Sequence, residues 1–349
     1  WNVSDTFRVN VGGRHQSIDK TGVEHPQVAR LPIGGASYEP LSALMDPVSG
    51  SIESNDFLPE VSVQWDASDD VMIYAKYAEA LKAGGFVKSP PIGGAVANPF
   101  TYDNEIAEGI EIGVKALLLD GRFSLNASYY DTDFTDLQVT ILNPSTATFE
   151  TQNAAAAHTT GFEVDGRWLV TDNFSLGFAG SVGEAKYDDY VGPNCNSLDL
   201  KIGPVGRCEI DADSGELVFN ANGVTLPYAP DWTINLQPEY RTNAGNFDIS
   251  FSANMIWSDG FNIAGVDGDP LSIADEWKRI DLRLALVPLD GVWELALYGR
   301  DVTNERRQHT NAFHFLSKSL APIFDGGGMG RERGSRWGLQ FSRTFGGAN

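Results

Sequence analysis

Apolar and polar residues alternate with a period of two along most of this 349-residue chain. In Ile280–Leu286 and Phe247–Met255, every second residue is apolar and most of the residues between them are polar or charged. Because successive side chains of a β-strand point to opposite faces, each stretch has one apolar and one polar face. The pattern predicts about twelve strands, near 5–18, 56–66, 70–84, 104–119, 121–138, 147–170, 173–189, 224–241, 246–258, 276–287, 292–304 and 334–345.

The connections between these strands are alternately short and long. The short ones carry Asp, Asn and Gly, as hairpin turns require, and they lie at 66–70, 120–121, 171–173, 243–245 and 290–291. The long ones cover about 19–55, 85–103, 139–146, 190–223, 259–275 and 305–333. A soluble β-sandwich also alternates apolar and polar residues, but it gives no reason for all long loops to lie at one end. The sequence therefore favours an all-β, transmembrane antiparallel β-barrel of the outer membrane.

Strand length and aromatic placement agree with this interpretation. Several strands exceed the roughly 9–11 residues that cross a membrane, so we expect their outer ends to stand above the bilayer. Five aromatic residues lie beside the short turns or the C-terminus, where an interfacial girdle is expected: Trp65, Trp168, Phe174, Trp293 and Phe345. No run of eighteen apolar residues exists in the sequence, which argues against a transmembrane helix.

Charge and motif content exclude several classes of function. A net charge of −22 argues against nucleic-acid binding, because phosphate recognition needs a basic surface. None of the five histidines has zincin spacing, and neither a Cys-x-x-Cys nor a Gly-x-Ser-x-Gly motif occurs. Gly326–Gly330 lacks the Lys-Ser/Thr pair of a phosphate loop. We therefore expect no enzyme activity.

Six short motifs follow one another along the chain. They are Tyr74–Phe86 (YAKYAEALKAGGF), Glu108–Lys115 (EGIEIGVK) with Leu119–Arg122 (LDGR), Tyr130–Gln138 (YDTDFTDLQ), Asn153 with Gly161–Glu163 (GFE), Leu226–Pro230 (LPYAP) and Gly299–Asn304 (GRDVTN). As an ordered set they resemble the C-terminal half of TonB-dependent outer-membrane receptors. Two residues depart from the family pattern, because Leu81 replaces an aromatic residue and Asp301 replaces the usual Asn.

The resemblance implies a fold, a location and a function. Family members have an N-terminal plug domain and about twenty-two strands, so residues 1–349 are expected to be the C-terminal barrel portion without the plug and first strands. The chain would lie in the outer membrane of a Gram-negative bacterium, cross it many times and expose its long loops outside. The implied function is uptake of a scarce ligand, such as a ferric siderophore or other metal complex, with no resident cofactor. The energising partner would be TonB-ExbB-ExbD, acting through the missing plug.

Two other functions remain open. The chain is alternatively a self-contained twelve-strand channel, since twelve is an allowed strand number, or a structural half-barrel subunit of a larger complex. The ligand itself is not fixed by the fold, because siderophores, haem, cobalamin, sugars and metal complexes all use this architecture.

Candidate binding residues lie in two long loops. The last loop combines Arg, His and Phe, a mixture suited to an anionic ligand such as a ferric chelate, and equally to phosphates of lipopolysaccharide, which with outer-membrane lipid is a further expected partner. Its candidates are Arg306, Arg307, His309, Phe313, His314, Phe315, Arg331 and Arg333. Another loop is acidic and is either simply solvated or binds a divalent cation. Its candidates are Asp259, Asp267, Asp269 and Asp275.

The chain has two cysteines, Cys195 and Cys208, in one polar loop. In an oxidising compartment we expect them to form a disulfide. The bond would close a loop of about a dozen residues and stabilise it by about 2–3 kcal/mol. A metal pair is the other interpretation, although no histidine lies near them.

Overall fold

The computed structural model describes residues 1–24, 47–87, 101–143, 148–195, 207–212, 215, 217–263, 273–305, 308–311, 329–331 and 334–345. Within these residues, no helix is long and apolar enough to span a membrane. The strands are β1 (Phe7–Glu24), β2 (Val48–Ser68), β3 (Val71–Lys82), β4 (Gly85–Phe86), β5 (Thr101–Tyr102), β6 (Glu105–Leu118), β7 (Phe123–Asn143), β8 (Thr148–Leu169), β9 (Phe174–Asp189), β10 (Val191–Asn194), β11 (Cys208–Ile210), β12 (Leu217–Asn220), β13 (Trp232–Ala244), β14 (Phe247–Ser258), β15 (Phe261–Asn262), β16 (Ile273–Ala274), β17 (Trp277–Pro288), β18 (Trp293–Arg300), β19 (Gln308–Asn311), β20 (Met329–Arg331) and β21 (Arg336–Arg343).

Twelve of these strands form one antiparallel sheet in the order β1-β2-β3-β6-β7-β8-β9-β13-β14-β17-β18-β21. Each predicted strand corresponds to one strand of this sheet, so the all-β antiparallel fold is confirmed. The nine remaining strands form four small sheets within the long connections: β4-β5, β10-β12-β11, β15-β16 and β19-β20. The molecule therefore has a short-turn end and a long-loop end.

The strand register separates an apolar face from a polar face. Residues that pair across neighbouring strands form rows, and one row of the apolar face runs through Ile73, Val114, Ala127, Val164, Gly180 and Ile234. At the short-turn end of this face, the rings of Phe123 and Trp168 lie 6.1 Å apart. The predicted aromatic residues Trp65, Trp168, Phe174 and Trp293 share this face.

The polar face carries ion pairs that link different strands. They are Arg8–Asp66 (2.5 Å), Lys76–Glu60 (3.3 Å), Arg167–Glu239 (3.2 Å) and Arg283–Glu294 (2.6 Å). Glycine lets aromatic rings lie flat against this face: a Cβ atom added to Gly113 would stand 2.5 Å from the Tyr74 ring. Tyr298 covers Gly338 in the same way. Ionic and aromatic side chains thus cover the polar face.

Strands β1 and β2 extend furthest beyond the predicted bounds, and β7 also continues past residue 138, to Asn143. β1 continues to Glu24 and β2 begins at Val48, where a loop over 19–55 was expected. Their pairing is unbroken from Phe7 opposite Trp65 to Glu24 opposite Val48. One face of these ends is partly covered, with Ile18 and Ile52 buried, but that face otherwise carries small or polar residues such as Lys20, Gly22, Gly50 and Ser54, so the apolar–polar alternation that marks a half-buried strand is not visible in the sequence. The prediction for these ends was therefore wrong for a physical reason.

Candidate functional site

Asn153 joins three strands at the long-loop end. Its side-chain oxygen accepts the backbone N–H of Asp103 at 2.6 Å. Its side-chain nitrogen donates to the carbonyl oxygens of Asp103 at 3.0 Å and Asp136 at 2.7 Å. Asp136 has a φ of +53° and lies at a β-bulge of β7, a conformation that aspartate tolerates better than most residues. One amide thus fastens the start of β6 and the bulge of β7 to β8.

Gln138 makes a second set of hydrogen bonds beside Asn153, also at the long-loop end. Its side-chain nitrogen donates to the carbonyl oxygens of Lys82 at 3.3 Å, Ala83 at 3.2 Å and Asp103 at 3.0 Å. Its backbone N–H donates to the carboxylate of Glu105 at 2.8 Å, which also pairs with Lys82 at 3.1 Å. These bonds tie the end of β3 to β6 and β7.

A third amide completes the group. Asn104 accepts the backbone N–H of Gly84 at 2.8 Å and donates to Asp56 of β2 at 3.3 Å. We call the set Lys82, Asn104, Glu105, Gln138 and Asn153 the rim knot. Three of the sequence motifs meet here: one ends in Gly84-Gly85-Phe86, one ends in Gln138, and one begins with Asn153. The sequence marked Lys82, Gln138 and Asn153 as motif residues but not Asn104 or Glu105, and it gave no sign that these residues bond to one another.

A small lobe stands beside the rim knot and shares a buried core with strands β7, β8 and β9. Strands β10, β11 and β12, with Cys195, form this stapled lobe, in which Cys195 and Cys208 share a disulfide with an S–S distance of 2.14 Å. Both cysteines are buried, at 0% and 3% exposure. The buried core consists of Val139, Ala155, Ala157, Tyr187, Tyr190, Cys195, Cys208, Phe219 and Ala221. A hydrophobic cluster of this kind holds the described strands of this connection in place against the sheet.

The lobe packs against the same face of the sheet that is polar nearer the short-turn end. Phe134, Ala157 and Tyr187 pair in one row, and this row belongs to the same face as Ser128 and Glu163. The polar face therefore turns apolar at the long-loop end, where the lobe covers it. Burial raises the pKa of Tyr187 to about 12, so its hydroxyl stays neutral within this core.

Asp301 anchors the turn after β18. Its backbone N–H donates to Asp281 at 2.7 Å, and its Oδ1 accepts from the Thr303 hydroxyl at 2.8 Å and from the Glu305 N–H at 3.1 Å. The residue has a φ of +50° and is 6% exposed, and its Oδ2 has no hydrogen-bond partner. An unpaired buried carboxylate oxygen close to a second carboxylate is unfavourable.

Asp301→Asn is expected to stabilise this turn by about 1 kcal/mol, because the amide keeps the Oδ1 acceptor and removes the unpaired charge. Asp301→Ala should instead destabilise it by about 1–3 kcal/mol, because both Oδ1 bonds are lost. Hydrogen exchange at the Glu305 amide in the two variants measures the difference. Faster exchange in Asp301→Asn than in the unmodified protein would contradict this assignment.

A charged row lies above the apolar face at the long-loop end. On β8 the apolar residues end at Phe162, and His158 follows two rows farther on. His158 Nδ1 lies 2.6 Å from Asp188, and its Nε2 lies 3.8 Å from Glu184. The bond to Asp188 is the main reason that the pKa of His158 is raised. Lys186 pairs with Glu184 in the same group.

The stability that His158 contributes is expected to depend on pH. A raised folded-state pKa means that the contribution is complete below the unfolded value of about 6.5 and is lost as the pH rises through the folded value. Hydrogen exchange at the paired β8–β9 amides should therefore speed up with pH, beyond the intrinsic chemical effect, over that window. His158→Gln should remove this extra dependence, and an unchanged profile in the variant would refute the role of His158.

Most of the predicted loop residues lie outside the described part of the chain. This holds for Arg306, Arg307, Phe313, His314, Phe315, Arg333, Asp267 and Asp269. His309 and Arg331 belong to the paired strands β19 and β20, but their side chains are outside it as well. Asp259 accepts the N–H of Gly260 at 2.8 Å, and Asp275 follows β16. Across the described residues, no three His, Cys, Asp or Glu side chains are placed to hold a metal. Both loop sites stay predictions.

Solved structures share this fold along nearly the whole chain. The ferric yersiniabactin uptake receptor FyuA from Yersinia pestis matches with a TM-score of 0.69 and 15% identity, over 98% of this chain and 43% of that one. The siderophore receptor PiuA from Acinetobacter baumannii gives 0.65 and 16%, over 97% and 41%. The copper transporter OprC gives 0.62 and 16%, over 99% and 46%. The chain thus spans less than half the length of each of these structures.

The sequence itself identifies the family. No curated protein matches it, but the family model "TonB dependent receptor-like, beta-barrel" matches residues 1–302. The resemblance seen in the strand motifs is confirmed, as is the outer-membrane β-barrel class, and the family and its structural neighbours are transport receptors. This chain therefore belongs to the TonB-dependent receptor β-barrel family.

Proposed function

We propose that this chain is the C-terminal barrel wall of a TonB-dependent receptor that takes up a scarce metal complex, such as a ferric siderophore. The observation that carries the proposal is the asymmetry between the two ends. The short-turn end has tight hairpins, whereas the long-loop end is braced by the rim knot and covered on one side by the stapled lobe. A braced and partly covered mouth suits capture of a ligand, while a simple channel needs neither feature.

The proposal assigns an orientation and partners. The long loops face outside, the plug domain and first strands come from another part of the protein, and TonB-ExbB-ExbD acts through the plug. In this scheme the Arg, His and Phe residues of the last loop, from Arg306 to Arg333, bind the anionic groups of the chelate, since Arg binds carboxylates in a bidentate manner. The neighbours favour metal complexes, because two of them are named for siderophores and one for copper.

Transport in cells tests the proposal. A strain that carries the full-length protein as its only receptor is given iron complexes of catecholate, hydroxamate and carboxylate siderophores, and separately copper, at growth-limiting concentrations. We expect accumulation of at least one complex, abolished when tonB is deleted. Accumulation that persists without TonB would instead support the twelve-strand channel, and no accumulation in either strain would support the structural half-barrel.

The mass of the native species complements the transport assay. We expect a denatured mass well above the 37.9 kDa of this chain, with peptides from a plug domain. A mass near that of the chain, with no companion fragment, would contradict the proposed receptor and leave the self-contained barrel.

A further inference from the structure

Two arginines stand directly opposite each other on the polar face at the long-loop end. Arg300 of β18 and Arg336 of β21 are partners in the strand register, and Arg300 lies on the same face of β18 as Glu294, which forms an ion pair of the polar face. The Cβ atoms of directly opposed residues are about 4.5–5.5 Å apart, and like charges in this position repel each other. An anion bound between the two side chains would turn this repulsion into attraction.

Other arginines of the polar face are neutralised by the wall itself. Five of them each have a carboxylate oxygen within 3.4 Å: Arg8, Arg167, Arg241, Arg279 and Arg283. Within the described part of the chain, neither Arg300 nor Arg336 forms such an ion pair, although the chain as a whole carries a net charge of −22. Asp281, on the neighbouring strand β17, is held by Arg279 and by the backbone N–H of Asp301. The charge of this arginine pair is thus left for a group outside the wall.

An aromatic ring supports one of the two side chains. The guanidinium of Arg300 lies 5.9 Å from the centre of the Tyr298 ring, a distance at which the ring attracts a cation. The Tyr298 ring lies in turn against Gly338 of β21, where an added Cβ atom would stand 2.5 Å from the ring. Both arginines are nevertheless exposed. A cation that is held in place before a ligand arrives loses less conformational entropy on binding, so this arrangement favours recognition of an anion.

The pair lies where the wall meets the last long loop. Arg300 is the last residue of β18 and Arg336 is the first residue of β21, so the last loop leaves and rejoins the sheet beside them. Trp337, next to Arg336, is 59% exposed on the apolar face, which is typical of an aromatic residue at a membrane interface. Since the polar face of an outer-membrane barrel lines its interior, the two arginines stand on the inner wall directly below this loop.

We propose that Arg300 and Arg336 bind a free carboxylate group of the transported metal complex, and so select complexes of carboxylate chelators over uncharged complexes. The inference rests on the proposed function, which supplies the complex and places the long-loop end outside. A guanidinium donates two parallel N–H bonds to a carboxylate, and its planar shape matches that group better than a lysine ammonium does. A carboxylate of the plug domain would satisfy the same chemistry, and the experiment separates these two sources.

Calorimetric titration of the purified full-length protein tests the site. The probes are the iron complexes of citrate and rhizoferrin, which are carboxylate chelators, and ferrichrome, an uncharged iron hydroxamate. We expect at least one carboxylate complex to bind, and Arg300→Gln or Arg336→Gln to raise its Kd about tenfold through loss of a charge-assisted pair. Arg336→Lys keeps the charge without the planar group, so its Kd should lie between these values. Arg14→Gln is the matched control, because Arg14 is an exposed arginine of the polar face opposite Leu58, and its Kd should be unchanged.

Salt dependence separates binding from folding. Added salt should weaken binding of the carboxylate complex to the unmodified protein more than to Arg300→Gln or Arg336→Gln, and heat-modifiable migration on a denaturing gel shows whether each variant is folded.

Three results would overturn the proposal. They are equal Kd values in the unmodified protein and the glutamine variants, binding of ferrichrome in place of both carboxylate complexes, and an unchanged Kd with faster proteolysis of the plug domain, which would assign the pair to a plug carboxylate. TonB-dependent accumulation of a complex without carboxylates would reject this site alone. Absence of all TonB-dependent accumulation would reject the uptake function as well.

Discussion

Asn153→Ala is expected to loosen the rim knot by about 2–3 kcal/mol, the sum of three hydrogen bonds at about 1 kcal/mol each. Among the described residues, the amide of Asn153 is the only side chain that bonds to both Asp103 and Asp136. Gln138 also donates to the Asp103 carbonyl oxygen, so the Asp103 N–H and the Asp136 carbonyl oxygen are the groups that lose their side-chain partner. Hydrogen exchange followed by mass spectrometry should show faster exchange at the Asp103 and Gln138 amides. The ladders near the short turns should be unaffected, because they lie far from the knot.

Two control variants define the effect of Asn153. Asn10→Ala removes a single exposed bond to Ser62 at 3.3 Å and should change exchange very little. Asn153→Asp keeps the acceptor for Asp103 but turns a carboxylate toward two carbonyl oxygens, so it should be at least as disruptive as alanine. Protection at the Asp103 amide that survives in Asn153→Ala would show that the knot does not depend on this residue.

Replacing both cysteines with serine is expected to destabilise the stapled lobe by about 2–4 kcal/mol. Cys195 and Cys208 are buried among Phe219, Ala221 and Tyr190, so the variant loses the covalent closure and places two hydroxyls in an apolar core. Limited proteolysis should then cut within residues 190–223, while the twelve-stranded sheet stays intact. Each of the two expected fragments should therefore have one end within residues 190–223.

An alanine pair separates the effect of losing the covalent bond from the effect of placing hydroxyl groups in the core. Cys195→Ala with Cys208→Ala removes the bond without adding polar groups, so its effect should be smaller than that of the serine pair. Reduction of the unmodified protein with a thiol reagent should have little effect under native conditions, because both sulfur atoms are buried. Rapid native reduction, or an unaltered proteolysis pattern in the serine variant, would contradict a structural role for this disulfide.

The sequence predicted the sheet well because the membrane imposes a regular pattern. In an outer-membrane barrel, each strand has one face in lipid, and Leu282 and Leu284 accordingly share one face of β17 while Arg283 lies on the other. Asp and Gly also marked the tight turns, for example at Asp290 and Gly291, where Gly291 has a φ of +67°. The strands and tight turns could thus be predicted because residues close together in the sequence determine them.

The long-loop end was harder to predict because its order comes from tertiary contacts. Strands β10, β11 and β12 are only three or four residues long, too short for an alternation to be recognised. They owe their order to the core around Phe219. Gln138 and Asn153 were visible as motif residues, but their partners are backbone groups of other strands, which no spacing in the sequence reveals.

The ion pairs of the polar face have a mechanical consequence for the proposed receptor. Some charges of the wall are paired within it, as Arg8 is with Asp66 and Arg283 with Glu294, so in the proposed receptor a body inside the barrel would meet these ionic groups with their partners already in place. Such a body can slide without first breaking ion pairs to these groups. The wall is also stiff in its own plane, because β1 shares a continuous ladder with β2 along all 18 of its residues. In the proposed receptor, such a wall would keep its shape while the plug moves against it.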